Sequence, residues 1–347
     1  MRTSTLVQAA LGVAAVAAAL ALPTAVDMFS LLSMTVYLVM ALLALSLAFV
    51  WGHGGILCFG QSAFFGLGAY AYAVAAFNFG PGLAAVTLAV VVPAAFAALL
   101  GYFMFYGKIS DVYLGVITLA VTLILFNVMN STSGDAYRIG AALLGGFNGI
   151  PSIPPLTLPG ASDPLSPEAM FTLAALLLIG AYFGLRMVQR SRFGRVVAAV
   201  RENEQRARLL GYDANRYKLA TFTIGGALAG LAGMLYANWG AFVSPGVFGL
   251  SQSAQIIIWV LVGGRGTLIG PILACVGIQW MVTSLGQQQT VDTGLVLGVI
   301  LALFVLVIPR GLVPTLADGF ERLRHRARGG SAPGDLGVAS HSSGDSV

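Results

Sequence analysis

Charge is what this chain has least of. Only 9% of its 347 residues are Asp, Glu, Lys or Arg, against about 25% in soluble domains, and that deficit excludes an ordinary water-soluble fold. The mean hydropathy of +0.88 says the same. Histidine is nearly missing as well: His53 stands alone, and His325 and His341 lie in the C-terminal tail. Neither a histidine cluster nor a Glu-x-x-His pair can therefore be assembled, and no metal site is expected. Cys58 and Cys275 sit in apolar segments at no metal or disulfide spacing and read as packing residues. No Ser, His and acid set is available, so no catalytic residue is assigned and the chain does not read as an enzyme. The nearest approach to a nucleotide loop is Gly101 to Lys108. It is one residue too long, its interior is aromatic, and Ile109 stands where a hydroxyl should hold magnesium. No cofactor is expected.

What is present is apolar sequence in long runs. Stretches of about 17 to 25 apolar residues suit membrane-spanning helices. They fall near 6–22, 28–50, 57–77, 83–106, 112–130, 168–186, 219–238, 252–264, 267–285 and 291–309. The expected fold is an all-α integral membrane protein of nine or ten spans. The eighth is too short for a regular crossing; it is broken, re-entrant, or continuous with the Gly-rich 244–250. The first segment also resembles a secretory signal, since Arg2 precedes an Ala/Leu/Val run and Ala19-Leu20-Ala21. The 44 glycines suit close helix contact in lipid. Residues 1–328 are expected to form the membrane domain. Residues 329–347, rich in Gly, Ser and Asp, are expected to be a disordered cytoplasmic tail.

The few positive charges are unevenly placed. Nine of the 18 Lys and Arg residues lie between Arg186 and Lys218. With both termini cytoplasmic, every basic residue except Arg138 falls on the cytoplasmic side, as the charge rule for membrane topology requires. This confinement to segment ends and one loop is topology and not a phosphate-tracking stripe, so nucleic-acid binding is excluded. The spans hold no clearly central ionisable residue; Asp111 and Asp292 sit at edges. Ion-driven carriers generally need one, though unwound carbonyls can hold Na+. A stand-alone secondary transporter is thus the weaker reading, and the energy source is expected in another subunit.

Two loops and one internal echo attract function. The 187–218 loop intersperses Val196, Val197, Val200, Ala207, Leu209 and Leu210 with arginines, giving short amphipathic helices that stop near Gly211. It reads either as a solvated or lipid-surface loop that anchors topology, or as a rigid protrusion for a soluble motor. The 131–167 loop carries six prolines and is either a spacer or a shaped surface for an external partner. Gln-Ser-Ala occurs at 61–63 and again at 252–254, a faint sign of two related halves.

Several motifs in order carry a family resemblance. They are WGHGGILCFGQSAFFGLGAYAY from Trp51, GVITLA at 115–120, GGFNGIP at 145–151, and SRFGR at 191–195. AVRENE at 199–204, GGALAGLAGML at 225–235, LVGGRGTLIGP at 261–271 and PRGL at 309–312 follow. Together they resemble the permease subunits of ABC importers of the branched-chain amino-acid family, whose close relatives take urea or short amides. The resemblance implies a bacterial inner-membrane location and an assembly with a second homologous permease, two cytoplasmic ATP-binding subunits and a periplasmic solute-binding protein. It implies that Arg201, Glu202, Asn203, Glu204, Arg206, Ala207, Arg208 and Gly211 form the loop that couples to the ATPase. In the general importer pattern Glu and Ala stand where this chain has Gln205 and Arg206.

Gly60, Gln61, Ser62, Phe64 and Phe65 have two readings: a tight helix crossing, or the lining of a solute pathway. Asn148 and Gly149 likewise read as turn residues or as part of a substrate-delivery surface. Gln61 tilts toward the urea-like branch, whereas GGFNGIP looks more like the amino-acid branch. The solute expected is a branched-chain or other small amino acid, with urea or a short amide as the alternative.

Overall fold

The computed structural model describes residues 2–107, 109–157, 164–287 and residue 298. The expected span at 291–309 and the tail at 329–347 lie outside the described residues. Helices dominate: α1 (Arg2–Ala25), α2 (Met28–Leu47), α3 (Gln61–Phe79), α4 (Leu83–Tyr106), α5 (Asp111–Ser131), α6 (Pro167–Arg190), α7 (Arg192–Glu202), α8 (Glu204–Leu209), α9 (Ala214–Gly240), α10 (Leu250–Gly263) and α11 (Ile269–Gln287). Among the described residues, six segments are long and apolar enough to cross a membrane, namely Met28–His53, α3, α4, Val112–Ser131, α6 and α9; α10 and parts of α1 and α11 are shorter apolar helices.

The helix starts follow from short polar residues placed where the first N–H groups need acceptors. Asp27 Oδ2 accepts from Ser30 N at 3.0 Å, and Ser166, Ser191, Asn203 and Asp213 cap α6, α7, α8 and α9 in the same way. Around α9 the bundle is tightest, with α3 and α4 packed on it. Glycine permits that approach: a Cβ on Gly68 would run into the backbone of Gly230, and one on Gly233 into Phe65 O. Between helices in lipid, where hydrophobicity supplies no net pull, such backbone contact is the main attraction.

One expected boundary shifts, and one open alternative resolves. The third span does not start at 57. After α2 the chain makes a π-turn, Ala48–His53, then runs irregularly through 54–60, and α3 begins only at Gln61. Gly54, Gly55 and Gly60 favour this break. Gln61 bonds to the carbonyl of Gly225, near the middle of α9, so α3 starts deep in the bundle. The eighth span is continuous with the Gly-rich 244–250 stretch, and the segment passes from the face where α9 ends to the basic face. After α9 the chain turns back through a 3-10 turn, Pro245–Phe248, and α10 begins at the depth of Ser62, to which Ser253 is hydrogen-bonded at 2.5 Å. Its 14 residues cover about 21 Å and end at Gly264-Arg265, beside Trp51.

The Gln-Ser-Ala echo is therefore structural. Both copies open a helix at mid-depth, and the two helices run in opposite directions. Each copy is preceded by Phe-Gly, at 59–60 and 248–249, and further upstream by Trp-Gly, at 51–52 and 239–240. The shared residues stand at unequal spacings in the two copies, so the likeness lies in the opposed helix starts.

Gly233→Val is expected to destabilise the bundle by about 1–3 kcal/mol through overpacking. Gly180→Ala in α6, where nothing lies near the added carbon, is expected to leave the melting temperature in detergent unchanged. Equal melting temperatures for both would contradict the packing described.

Candidate functional site

The basic face of the bundle carries α7 and α8. Asn203 ends α7 and caps α8, its Oδ1 accepting from Arg206 N at 2.8 Å. Ala207 is 2% exposed and packs with Val200 and Ala214, which seats α8 on the start of α9. Gly211, at φ +88°, holds the left-handed turn that ends the element; its N–H donates to Arg208 O at 3.0 Å.

Charge pairs fix this element from within. Lys218 Nζ donates to Glu204 Oε2 at 2.5 Å, and Arg208 Nη2 donates to Glu204 Oε1 at 2.6 Å and to Asn215 Oδ1 at 2.7 Å. Partial burial pushes the Glu204 carboxyl pKa up, but the hydrogen bonds from Lys218 and Arg208 outweigh it and hold the group below its usual value. Arg201 Nη1 donates to Gly52 O at 2.7 Å, and Arg201 also pairs with Glu202. Thus α7 grips the end of the π-turn. Arg265 stacks on Trp51 at 5.1 Å, and a cavity of about 330 Å³ opens between Arg201, Arg265 and Gly52. Of the expected coupling residues, Glu204, Ala207 and Arg208 are committed to this internal scaffold, while Arg206 and Glu202 face outward.

The sequence marked Leu209 and Leu210 as apolar positions of this element but not as an outward tip. Leu209 is 88% and Leu210 71% exposed, with Tyr212 beside them. Their place directly before Gly211, beyond the buried Ala207, is the signal that marks them.

Deep in the bundle, Gly60, Gln61, Ser62, Phe64 and Phe65 are all buried. Gln61 Nε2 donates to Ser46 Oγ at 2.8 Å and to Gly225 O at 3.1 Å, cross-linking α2, α3 and α9. A carbonyl only accepts, so this amide orientation is forced; Gln61 Oε1 is left without a partner. Phe64 packs edge-on against Phe96 and Phe222, and Phe65 lies against Tyr236. The cluster is buried and joins helices α2, α3, α9 and α10.

The opposite face is closed by the 131–157 loop. Ile150 and Val243 exchange backbone bonds of 2.8 and 3.2 Å, Ile153 N donates to Ala241 O, and Leu156 N donates to Asn238 Oδ1 at 2.7 Å. Gly149, at φ +73°, is buried against Val243 and serves this docking, whereas Asn148 and the 77%-exposed Phe147 point outward. The loop is a fitted cover over the irregular segment that leads into α10. Among the described residues, no group of His, Cys, Asp and Glu can hold a metal.

A family model described as "Branched-chain amino acid transport system / permease component" matches residues 28–308. The chain belongs to this family. It is 30% identical over 322 residues to the high-affinity branched-chain amino acid transport system permease protein LivM of Salmonella typhimurium, covering 86% of this chain and 73% of that protein. The Escherichia coli K12 LivM is 30% identical over 325 residues, covering 87% and 72%. Shorter matches include the xylose transport system permease protein XylH of Escherichia coli K12, 33% identical over 106 residues, or 29% of this chain and 26% of that one. No solved structure matches. This permease of the ABC importer class is a multi-pass membrane protein and belongs to no enzyme family.

Glu204→Gln is expected to loosen α8 from α9 by about 1 kcal/mol, the modest value being set by partial exposure. Because the folded carboxyl titrates below its usual value, the Glu204 contribution is full above that value, 4.5, and is lost as pH falls through the lowered one. Hydrogen exchange across 204–212 is expected to quicken in the variant at pH 7 and to lose its acid dependence. Unchanged protection would refute the lock.

Proposed function

We propose that this chain is one of two homologous permeases in a bacterial inner-membrane importer, with its basic face and both termini in the cytoplasm. Two ATP-binding subunits drive it from that face, and a periplasmic solute-binding protein delivers solute to the other, at the Phe147-Asn148 surface. Lipid surrounds the remainder. The solute is a small amino acid, branched-chain ones first; the two LivM relatives, which cover most of the chain, support this.

One observation carries the reading: α7 and α8 form a braced protrusion that ends in exposed leucines. A topology anchor needs charge but not bracing. The Glu204, Lys218 and Arg208 network and the Arg201 bond to Gly52 make the protrusion stiff, and Leu209 and Leu210 give it an apolar tip that water disfavours. A motor subunit with an apolar groove rimmed by acidic groups fits Leu209, Leu210 and Arg206. Force applied there enters α9 through Lys218 and α2 through Gly52. Gly60, Gln61, Ser62, Phe64 and Phe65 serve transport by holding α3 against α2 and α9, so that the applied tilt reaches mid-depth intact.

In proteoliposomes holding all subunits, Leu209→Asp with Leu210→Asp is expected to cut ATP-driven leucine uptake at least tenfold while assembly of the two permeases persists. Gly211→Val is expected to act similarly through the turn. Full uptake in both variants, or gradient-driven uptake by this chain alone, would overturn the proposal. Uptake of urea in place of leucine would move the solute to the amide branch.

A further inference from the structure

The first turns of α10 have one exposed side, and the helix start there has no side-chain cap. Leu250 is 57% exposed, and Ser251 and Ala254 are exposed as well, while Ser253 and Ile256, at 2% and 0%, face the bundle. The Ser62–Ser253 bond sets this turn at mid-depth, and the lead-in at 241–249 is not α-helical. Hydrocarbon does not tolerate irregular backbone or an open helix start, which persist only against protein or around water. The neighbouring α5, packed on the Pro245–Phe248 turn, adds another exposed polar side chain, Asn127. The outer face of α4 is mostly apolar, with Val91, Val92, Leu99 and Phe103 exposed along it.

We infer that the uncovered side of α10, formed by Ser251, Ala254 and the adjoining Gln255, lines the solute pathway where this chain meets the second permease. The inference rests on the permease reading above and moves the lining from the buried Gln61 and Ser62 to α10. The small side chains of Ser251 and Ala254 leave room, and the hydroxyl of Ser251 and the amide of Gln255 offer donors and acceptors to a zwitterionic solute. Ser62, bonded to Ser253 on the inner side, holds this lining in place. The other end of α10 reaches Arg265 and Trp51 beside the Arg201 contact, so the lining is attached to the region the motor moves.

Single-cysteine variants of the assembled transporter test this. Cys58 and Cys275 are buried, at 1% and 0% exposure, and stay silent. Ser251→Cys and Ala254→Cys are expected to react with a charged, water-soluble thiosulfonate at least tenfold faster than Val91→Cys and Leu99→Cys, and severalfold slower when leucine and the binding protein are present with ATP. Labelling as slow as the α4 controls in every state would overturn the assignment, as would fast labelling that solute never slows and that leaves uptake intact. Mass spectrometry reads the labelling without any transport assay. Solute-protected labelling without ATP-driven uptake would sink the motor reading alone; uptake with unlabelled α10 would sink the lining alone.

Discussion

A peptide group in hydrocarbon must find its hydrogen bond within the protein, and this requirement shapes the molecule more than any single side chain. Most of the chain meets it by remaining helical. At two places it does not, and there other groups take up part of the backbone: in 54–60 Phe59 N donates to Thr118 Oγ1 at 3.1 Å, and in 241–244 Val243 and Ala241 bond to the loop above them. The glycines that let α9 approach α3 and α4 serve the same end, because a tight bundle leaves little room for water beside broken backbone. The buried polar side chains Gln61, Ser62 and Ser253 are spent on joining elements that lack continuous helical support.

Bracing on the basic face complements this interior. An ion pair on a flexible loop contributes little, but here one carboxylate serves two cations from different helices, and a third cation closes on a backbone carbonyl of the π-turn. The protrusion therefore owes its shape to internal bonds and keeps its leucines free for a partner.

Much of this was legible in the sequence, and the physical reasons are clear. Long apolar runs announced the helices, because 3.6-residue periodicity is irrelevant to a segment apolar all round and length alone decides. Clustered arginines announced the protrusion, and Gly211 marked its end. The start of the third span was misread because 54–60 is as apolar as a helix; composition cannot distinguish buried irregular backbone from a span. Gln61 and Ser62 looked like pathway residues because polar atoms in lipid demand an explanation, but sequence could not say that Ser46, Gly225 and Ser253 already supply it. The Gln-Ser-Ala echo was visible as a tripeptide; only the opposed directions of α3 and α10 gave it meaning.

The Glu204 clamp has a mechanical corollary. A lever transmits torque only if its handle is welded to its shaft, and Lys218 sits on the first turns of α9, a helix that extends unbroken over 27 residues to the far side. On the proposed reading, a push of an ångström at the leucine tip would become a swing at Trp239, which is itself tethered to Leu32 O near the start of α2. In the proposed pair of permeases, two such shafts would rock about their glycine-lined waists like the arms of a pair of shears.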